Sequence, residues 1–326
     1  MGILEEINQY LSEEIALFKR QKDISLSASE PLLRDAIKHF TQRGGKYIRP
    51  ILLLLSAKIC SHAPLTSVSI RSAVSVELFH EASLIHDDVV DTSSIRHGIE
   101  TINATFNNKI AVLVGDFFLS SSLLEGVETG NLRILRNISF LAKSLTQGEI
   151  AQLSFERGKM PKEEDYLSII RKKTASLFSS CTEIGAISVG APQNQVEKLK
   201  SFGEWIGMCF QIKDDIFDYL PSKQIGKPTG NDIREGKVTL PLLYVLNQLN
   251  EEERGKVLKI LSSPTLSAEE IFTLSKLAID GGGIAYSEKK MEEYCLLAEK
   301  ELEIFPSSKE KELLLKLSRY IVQRDY

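Results

Sequence analysis

Apolar residues return every three or four positions in nearly every long stretch of this 326-residue chain, which is the spacing of one face of an α-helix. The pattern runs from residue 123 onward, through residues 166–189 and through residues 199–219, whereas the alternation of half-buried strands is scarce. The predicted fold class is all-α. Prolines such as Pro31, Pro64, Pro161, Pro192 and Pro264, with the glycine run 281–283, fall between the periodic stretches and divide them into roughly a dozen helices.

Residues 67–91 carry apolar or small side chains almost all round, among them Val74, Val76, Leu78, Phe79, Ala82 and Ile85. A helix of that kind belongs in the middle of a bundle. No low-complexity linker, fixed-period repeat or long run of like charge marks a boundary, so residues 1–326 are predicted to form one domain, a single large helical bundle. At 43% hydrophobic and 26% charged residues the chain can fill such a core.

A net charge of −4 gives no general attraction to nucleic acid or to an anionic membrane, so phosphate must be bound locally. The amino terminus lacks the apolar core of a signal peptide, and no stretch approaches the ~18 consecutive apolar residues of a membrane span. A cytoplasmic protein is predicted. Cys60, Cys181, Cys209 and Cys295 form no C-x-x-C pair and read as ordinary thiols.

The chemistry is signalled by two acidic clusters. His86-Asp87-Asp88-Val89-Val90-Asp91 closes the most apolar helix, and Asp87 and Asp91, four residues apart, share a face. Lys213-Asp214-Asp215-Ile216-Phe217-Asp218 repeats the pattern at the end of another apolar helix. One such cluster is commonplace; a matched pair is not. Carboxylates without a His/Cys set suit magnesium, which keeps water and takes phosphate oxygens as its remaining ligands. Arg96 follows the first cluster, Lys227 and Lys237 the second, and Gly44-Gly45-Lys46-Tyr47-Ile48-Arg49-Pro50 offers a turn with two further cations.

With these residues in view, the chain resembles the trans-isoprenyl diphosphate synthases, the polyprenyl synthetase family. The resemblance rests on residues 44–50, both Asp-Asp-x-x-Asp motifs, Gly115-Asp116, Gly148-Glu149, Lys173-Thr174-Ala175 and the Gly-Lys-Pro-Thr-Gly stretch at 226–230, in the family's order. It implies an isoprenoid-synthase bundle with a central active-site cavity. It also implies an enzyme that joins isopentenyl diphosphate to an allylic diphosphate.

By the same resemblance Asp87, Asp91 and Asp214 bind magnesium ions, three in number, that bridge the allylic diphosphate, with Asp88, Asp215 and Asp218 completing or supporting the metal site. Arg96, Lys173, Lys227 and Lys237 would neutralise that diphosphate. Lys46, Arg49 and His80 would hold isopentenyl diphosphate, and Thr174 and Gln211 would lie beside the reacting carbons. Where the family has a second arginine after Arg96, this chain has His97, which puts the affinity and pH dependence of the isopentenyl diphosphate site in question.

In the family, aromatic residues four and five positions before the first aspartate stop the product early; here those positions are Ser83 and Ala82. Phe79, one turn or about 5.4 Å further back, is the candidate floor. The resemblance points to a long linear product such as octaprenyl diphosphate, with geranylgeranyl diphosphate as the alternative. It further implies a homodimer and transient membrane contact for product release. A subunit of a heteromeric prenyltransferase is the non-catalytic alternative. A terpene cyclase would carry Asn, Ser and Glu in the second motif, and a metal phosphohydrolase would need further His ligands that are not found.

Overall fold

The computed structural model describes residues 2–42, 44–61, 63–96, 98–155, 159–220 and 230–324. Helices supply nearly all regular structure there, as the periodicity predicts; the only strands among the described residues are Ile95–Arg96 and Ile99–Glu100, an antiparallel pair. The chain divides into two compact units: Met1–Phe140, Ser180–Lys200 and Phe305–Leu314 in one, Leu141–Ser179, Ser201–Ile304 and Leu315–Tyr326 in the other. Each draws on three separate stretches, so no single cut in the sequence parts them.

The first unit is organised on the helix Ser67–Val90, the one predicted to be central. Val74, Val76, Leu78, Phe79, Ala82 and Ile85 are all buried, each large side chain contributing about 1.5–3 kcal/mol by leaving water. Asn108–Glu128 packs along it, with Ile48–Cys60 and Ser12–Ser25 also in contact. Small residues allow the close approach: Ser75 Oγ donates to the Ser122 carbonyl and Ser122 Oγ to the Ser75 carbonyl, both at 2.7 Å. At Gly115 a Cβ would lie 2.3 Å from His86 Nε2, so the Gly115-Asp116 landmark exists because the imidazole beside the first motif occupies that space.

Among the ion pairs of this unit's described residues, one has both partners buried: Lys22 Nζ is 2.5 Å from Glu81 Oε1, with Lys22 6% and Glu81 9% exposed. Burial pushes the Glu81 carboxyl up to about 7, against the pull of Lys22. Because the folded-state value exceeds the ordinary 4.5, the folded protein holds this proton more tightly than the unfolded chain. The associated stability is complete below pH 4.5 and is lost as the pH rises through 7. Relative to Glu81→Gln, wild type is therefore expected to lose up to about 3 kcal/mol across that window. Urea unfolding of both proteins over a pH series checks this, and a difference independent of pH would rule it out.

The second unit is built around Leu240–Gln248, whose Leu240, Leu242, Leu243 and Leu246 are fully buried. Gly283–Glu301 and Ala268–Asp280 pack on it. Between Glu163–Ile170 and Ser176–Ser188 the helix widens into a π-helical turn, Arg171–Ala175, where the Ser176 N–H donates to the carbonyl of Arg171, five residues back.

Candidate active site

The first acidic cluster ends the Ser67–Val90 helix. Asp91 is its C-cap and donates its N–H to the Asp87 carbonyl at 2.8 Å. Asp87 is half-buried and Asp91 exposed. Asp88 points inward at 2% exposure and accepts from Arg96 Nε at 2.6 Å. The short hairpin that follows the motif turns the chain back so that Arg96 reaches this carboxylate. Thr101 Oγ1 and Asn103 Nδ2 pin the bend through the Ser93 carbonyl, at 2.7 and 2.9 Å. The fold thus joins Arg96 to the first motif through Asp88, while Asp87 and Asp91 stay on the more open face.

Beside this cluster, His80 is kept neutral: burial and the nearby Arg49, Arg96 and Lys22 push its imidazole well below the ordinary value. Ser83 Oγ donates to the His80 carbonyl at 2.8 Å. Lys46 is exposed and Arg49 half-buried. Phe79 and Ala82 are buried, at 5% and 1% exposure. His97 and Lys227 lie outside the described residues.

The second cluster ends the long helix Gln193–Tyr219 and borders a cavity of about 160 Å³ contained within the second unit. Asp215, 3% exposed, receives two hydrogen bonds: Tyr166 Oη donates at 2.6 Å and Gln211 Nε2 at 2.8 Å. Gln211 Oε1 in turn accepts from Thr174 Oγ1 at 2.5 Å. The relay Thr174–Gln211–Asp215–Tyr166 fixes which amide atom of Gln211 faces which neighbour. Burial and then the Asp232 charge raise the Asp215 carboxyl well above the carboxylate range, against both donors.

Asp218 caps the short helix Asn231–Arg234 by accepting from the N–H groups of Asn231 and Asp232, at 3.0 and 2.9 Å. Asp232 itself is raised to about 7 by burial and by Asp218, with Lys237 opposing. The π-helical turn sets Lys173 and Thr174 on the cavity wall. Lys173 Nζ is 2.5 Å from Glu149 Oε2, and Lys237 Nζ is 2.5 Å from Glu235 Oε2. Asp214 pairs with Arg324, whose guanidinium also donates to the Phe210 carbonyl at 3.1 Å and lies over the Phe210 ring.

Several members of this second site escape a reading of the sequence. Asp232 follows the Gly-Lys-Pro-Thr-Gly signature by two residues, and that position is the one local clue. Tyr166, Gln152 and Arg324 carry none, because only the fold brings them near Asp215, Lys173 and Asp214.

The donors suit a hard cation. They are carboxylates with no thiol or imidazole set among them, and at the second cluster burial first, then neighbouring carboxylates, hold Asp215, Asp218 and Asp232 at raised proton affinity, a repulsion that a divalent ion would relieve. Among the described residues no three His, Cys, Asp or Glu side chains converge to hold an ion by themselves. The remaining ligands would have to be water and substrate oxygens, which is how magnesium is usually held.

The polyprenyl synthetase family profile matches residues 30–277. The chain is 34% identical over 324 residues to heptaprenyl diphosphate synthase component 2 of Geobacillus stearothermophilus, covering 99% of both chains. Among solved structures it is similar to a polyprenyl synthase from Caulobacter crescentus CB15 complexed with calcium and isoprenyl diphosphate. That match has a TM-score of 0.93 at 27% identity and covers 99% of this chain and 98% of that one. It is also similar to a geranylgeranyl pyrophosphate synthase from Bacteroides thetaiotaomicron, with a TM-score of 0.85 at 38% identity, covering 99% and 100%.

Proposed function

The chain belongs to the polyprenyl synthetase family, and on that premise we propose that it condenses isopentenyl diphosphate with an allylic diphosphate to build a linear trans-polyprenyl diphosphate. The observation that carries this reading is a full-length family likeness in which both aspartate motifs are intact. A long product, roughly thirty to forty carbons, is supported by the small Ala82 and Ser83 before the first motif and by the heptaprenyl relative. The geranylgeranyl synthase likeness supports a shorter end point, for which buried Phe79 would be the floor.

Asp87, Asp91 and Asp214 are the residues proposed to hold magnesium, with Asp88, Asp215 and Asp218 behind them; the calcium in the Caulobacter structure supports a divalent ion. When bound, the ions supply electrostatic stabilisation of the diphosphate released as the allylic carbon–oxygen bond breaks. Lys173, Lys237, Arg96 and Lys227 would neutralise that diphosphate, and Lys46, Arg49 and His80 would hold the second substrate. Thr174 and Gln211, hydrogen-bonded to each other and anchored on Asp215, are the polar groups proposed to lie beside the reacting carbons. No protein nucleophile is needed, because the alkene of isopentenyl diphosphate attacks the allylic carbon as its bond to diphosphate breaks, and the resulting cation would give up its proton to the released diphosphate.

The test is incubation of the purified protein with magnesium, radiolabelled isopentenyl diphosphate and farnesyl or geranylgeranyl diphosphate, with products resolved by length. Products beyond twenty carbons support the long-chain reading, and a twenty-carbon end point selects the geranylgeranyl alternative. Without elongation the reading falls, and the heteromeric subunit named by the Geobacillus relative takes its place.

A homodimer is proposed on the exposed Leu113, Leu124 and Val127 of the Asn108–Glu128 helix, an apolar face of a kind that usually finds a partner. By length and composition alone this is the one helix among the described residues that could cross a membrane. We read it as a core-and-interface helix in a cytoplasmic enzyme, with transient membrane contact only as the product leaves.

Arg324 occupies Asp214 with its own positive charge. Arg324→Ala is therefore expected to tighten Mn²⁺ binding to the substrate-free protein about threefold to tenfold, a gain of ~1 kcal/mol. Titration of free Mn²⁺ by electron paramagnetic resonance measures it, and an unchanged affinity would mean the arginine does not compete.

A further inference from the structure

The buried Lys22–Glu81 pair has no place in the chemistry above, and it touches a strained point of the fold. Tyr47, at the head of the helix Ile48–Cys60, is one of two non-glycine residues among those described with left-handed backbone, at φ 49. Such a conformation persists where its surroundings hold it. Three side chains of the helix Ser12–Ser25 do so. The Phe18 ring meets the Tyr47 ring edge-on at 5.4 Å, and the ammonium groups of Lys19 and Lys22 lie 5.6 and 5.5 Å from its centroid. Lys22 is in turn tied to Glu81 on the Ser67–Val90 helix.

Glu77 lies one turn before Glu81, equally enclosed at 7% exposure, and feels the charges of Lys22 and Arg49. One oxygen of each carboxylate, Glu77 Oε2 and Glu81 Oε2, is buried with no hydrogen-bond partner. An ion pair so enclosed adds little stability over a well-packed apolar pair, so its use lies in fixing geometry. What it fixes is the turn carrying Lys46 on one side of Tyr47 and Arg49 on the other.

We propose that Lys22 and Glu81 are positioning residues that clamp Tyr47 and so hold Lys46 and Arg49 in register for the diphosphate of the non-allylic substrate. This rests on the reading of the chain as a prenyltransferase. Its signature is selective: the KM for isopentenyl diphosphate should move while the KM for the allylic primer and kcat stay put, since neither Lys22 nor Glu81 touches the acidic clusters.

The variants are Lys22→Met and the double variant Lys22→Met/Glu81→Met. The single change leaves Glu81 buried without its cation and is destabilising for that reason alone. The double change removes both charges, and its unfolding midpoint should stay near that of wild type. Steady-state kinetics of wild type and the double variant, with each substrate varied in turn, give the result. We expect about a tenfold rise in KM for isopentenyl diphosphate, with kcat and the primer KM within about twofold of wild type.

An unchanged KM for isopentenyl diphosphate in the folded double variant overturns the inference, as does an equal rise in both KM values. Wild type that fails to elongate at all would instead bring down the prenyltransferase reading, so the two failures are distinguishable.

Discussion

Asp87→Ala is expected to lower chain extension by about 10³-fold or more while leaving the protein folded, because the change removes a proposed metal ligand from the point where the leaving diphosphate gains charge. Asp87 is half-buried at a helix end, so its loss leaves no cavity in the core. Product formation under saturating magnesium, beside circular dichroism of the same sample, is the measurement. More than a tenth of wild-type activity would remove Asp87 from the metal site. Asp88→Ala makes the informative contrast: that carboxylate is held by Arg96, so its loss should act through a released guanidinium and raise the primer KM as well as lowering the rate.

Gly207→Val should badly damage the second unit at its candidate site. A Cβ at Gly207 would lie 2.5 Å from Ala175 Cα, which is backbone, and 3.1 Å from Phe178 Cβ. The helix carrying the second motif would have to move away from the π-helical turn. Overpacking of this kind costs about 3 kcal/mol, and in a chain of this size it lowers the thermal midpoint by about 5 °C or more. The protein that remains folded should also turn over at least about tenfold more slowly, because Thr174 and Gln211 no longer meet at hydrogen-bonding distance. Gly207→Ala should shift both quantities the same way and less. An unaltered midpoint in the valine variant would mean that the two helices have slack between them.

What could be read in the sequence was what depends on neighbours along the chain. Helical periodicity placed the Ser67–Val90 helix in the middle of its unit, and the four-residue spacing set Asp87 and Asp91 on one face. Spacing put Asp88 off that face but could not show what holds it, which is Arg96, returned to this carboxylate by a hairpin. Nor could it distinguish Asp218, which ends as the cap of Asn231–Arg234, from Asp214, which meets Arg324. Lys22 looks like any lysine on an amphipathic helix until Glu81 is found beside it. These assignments depend on contacts between residues far apart in sequence, which no local pattern encodes.

The turn Arg171–Ala175 has one more bearing. It holds one residue beyond what a regular helix needs, so the chain could lose a single residue there and close the gap as ordinary helix, with its backbone bonds restored. The helices on either side would keep their register, because the extra residue is what the wide turn absorbs, and only the side chains of the turn itself would change face. Such a protein could pass as intact by helix content and heat resistance while Lys173 and Thr174 faced the wrong way. In a lineage drifting by insertion and deletion, this is where chemistry could vanish from a chain that still folds.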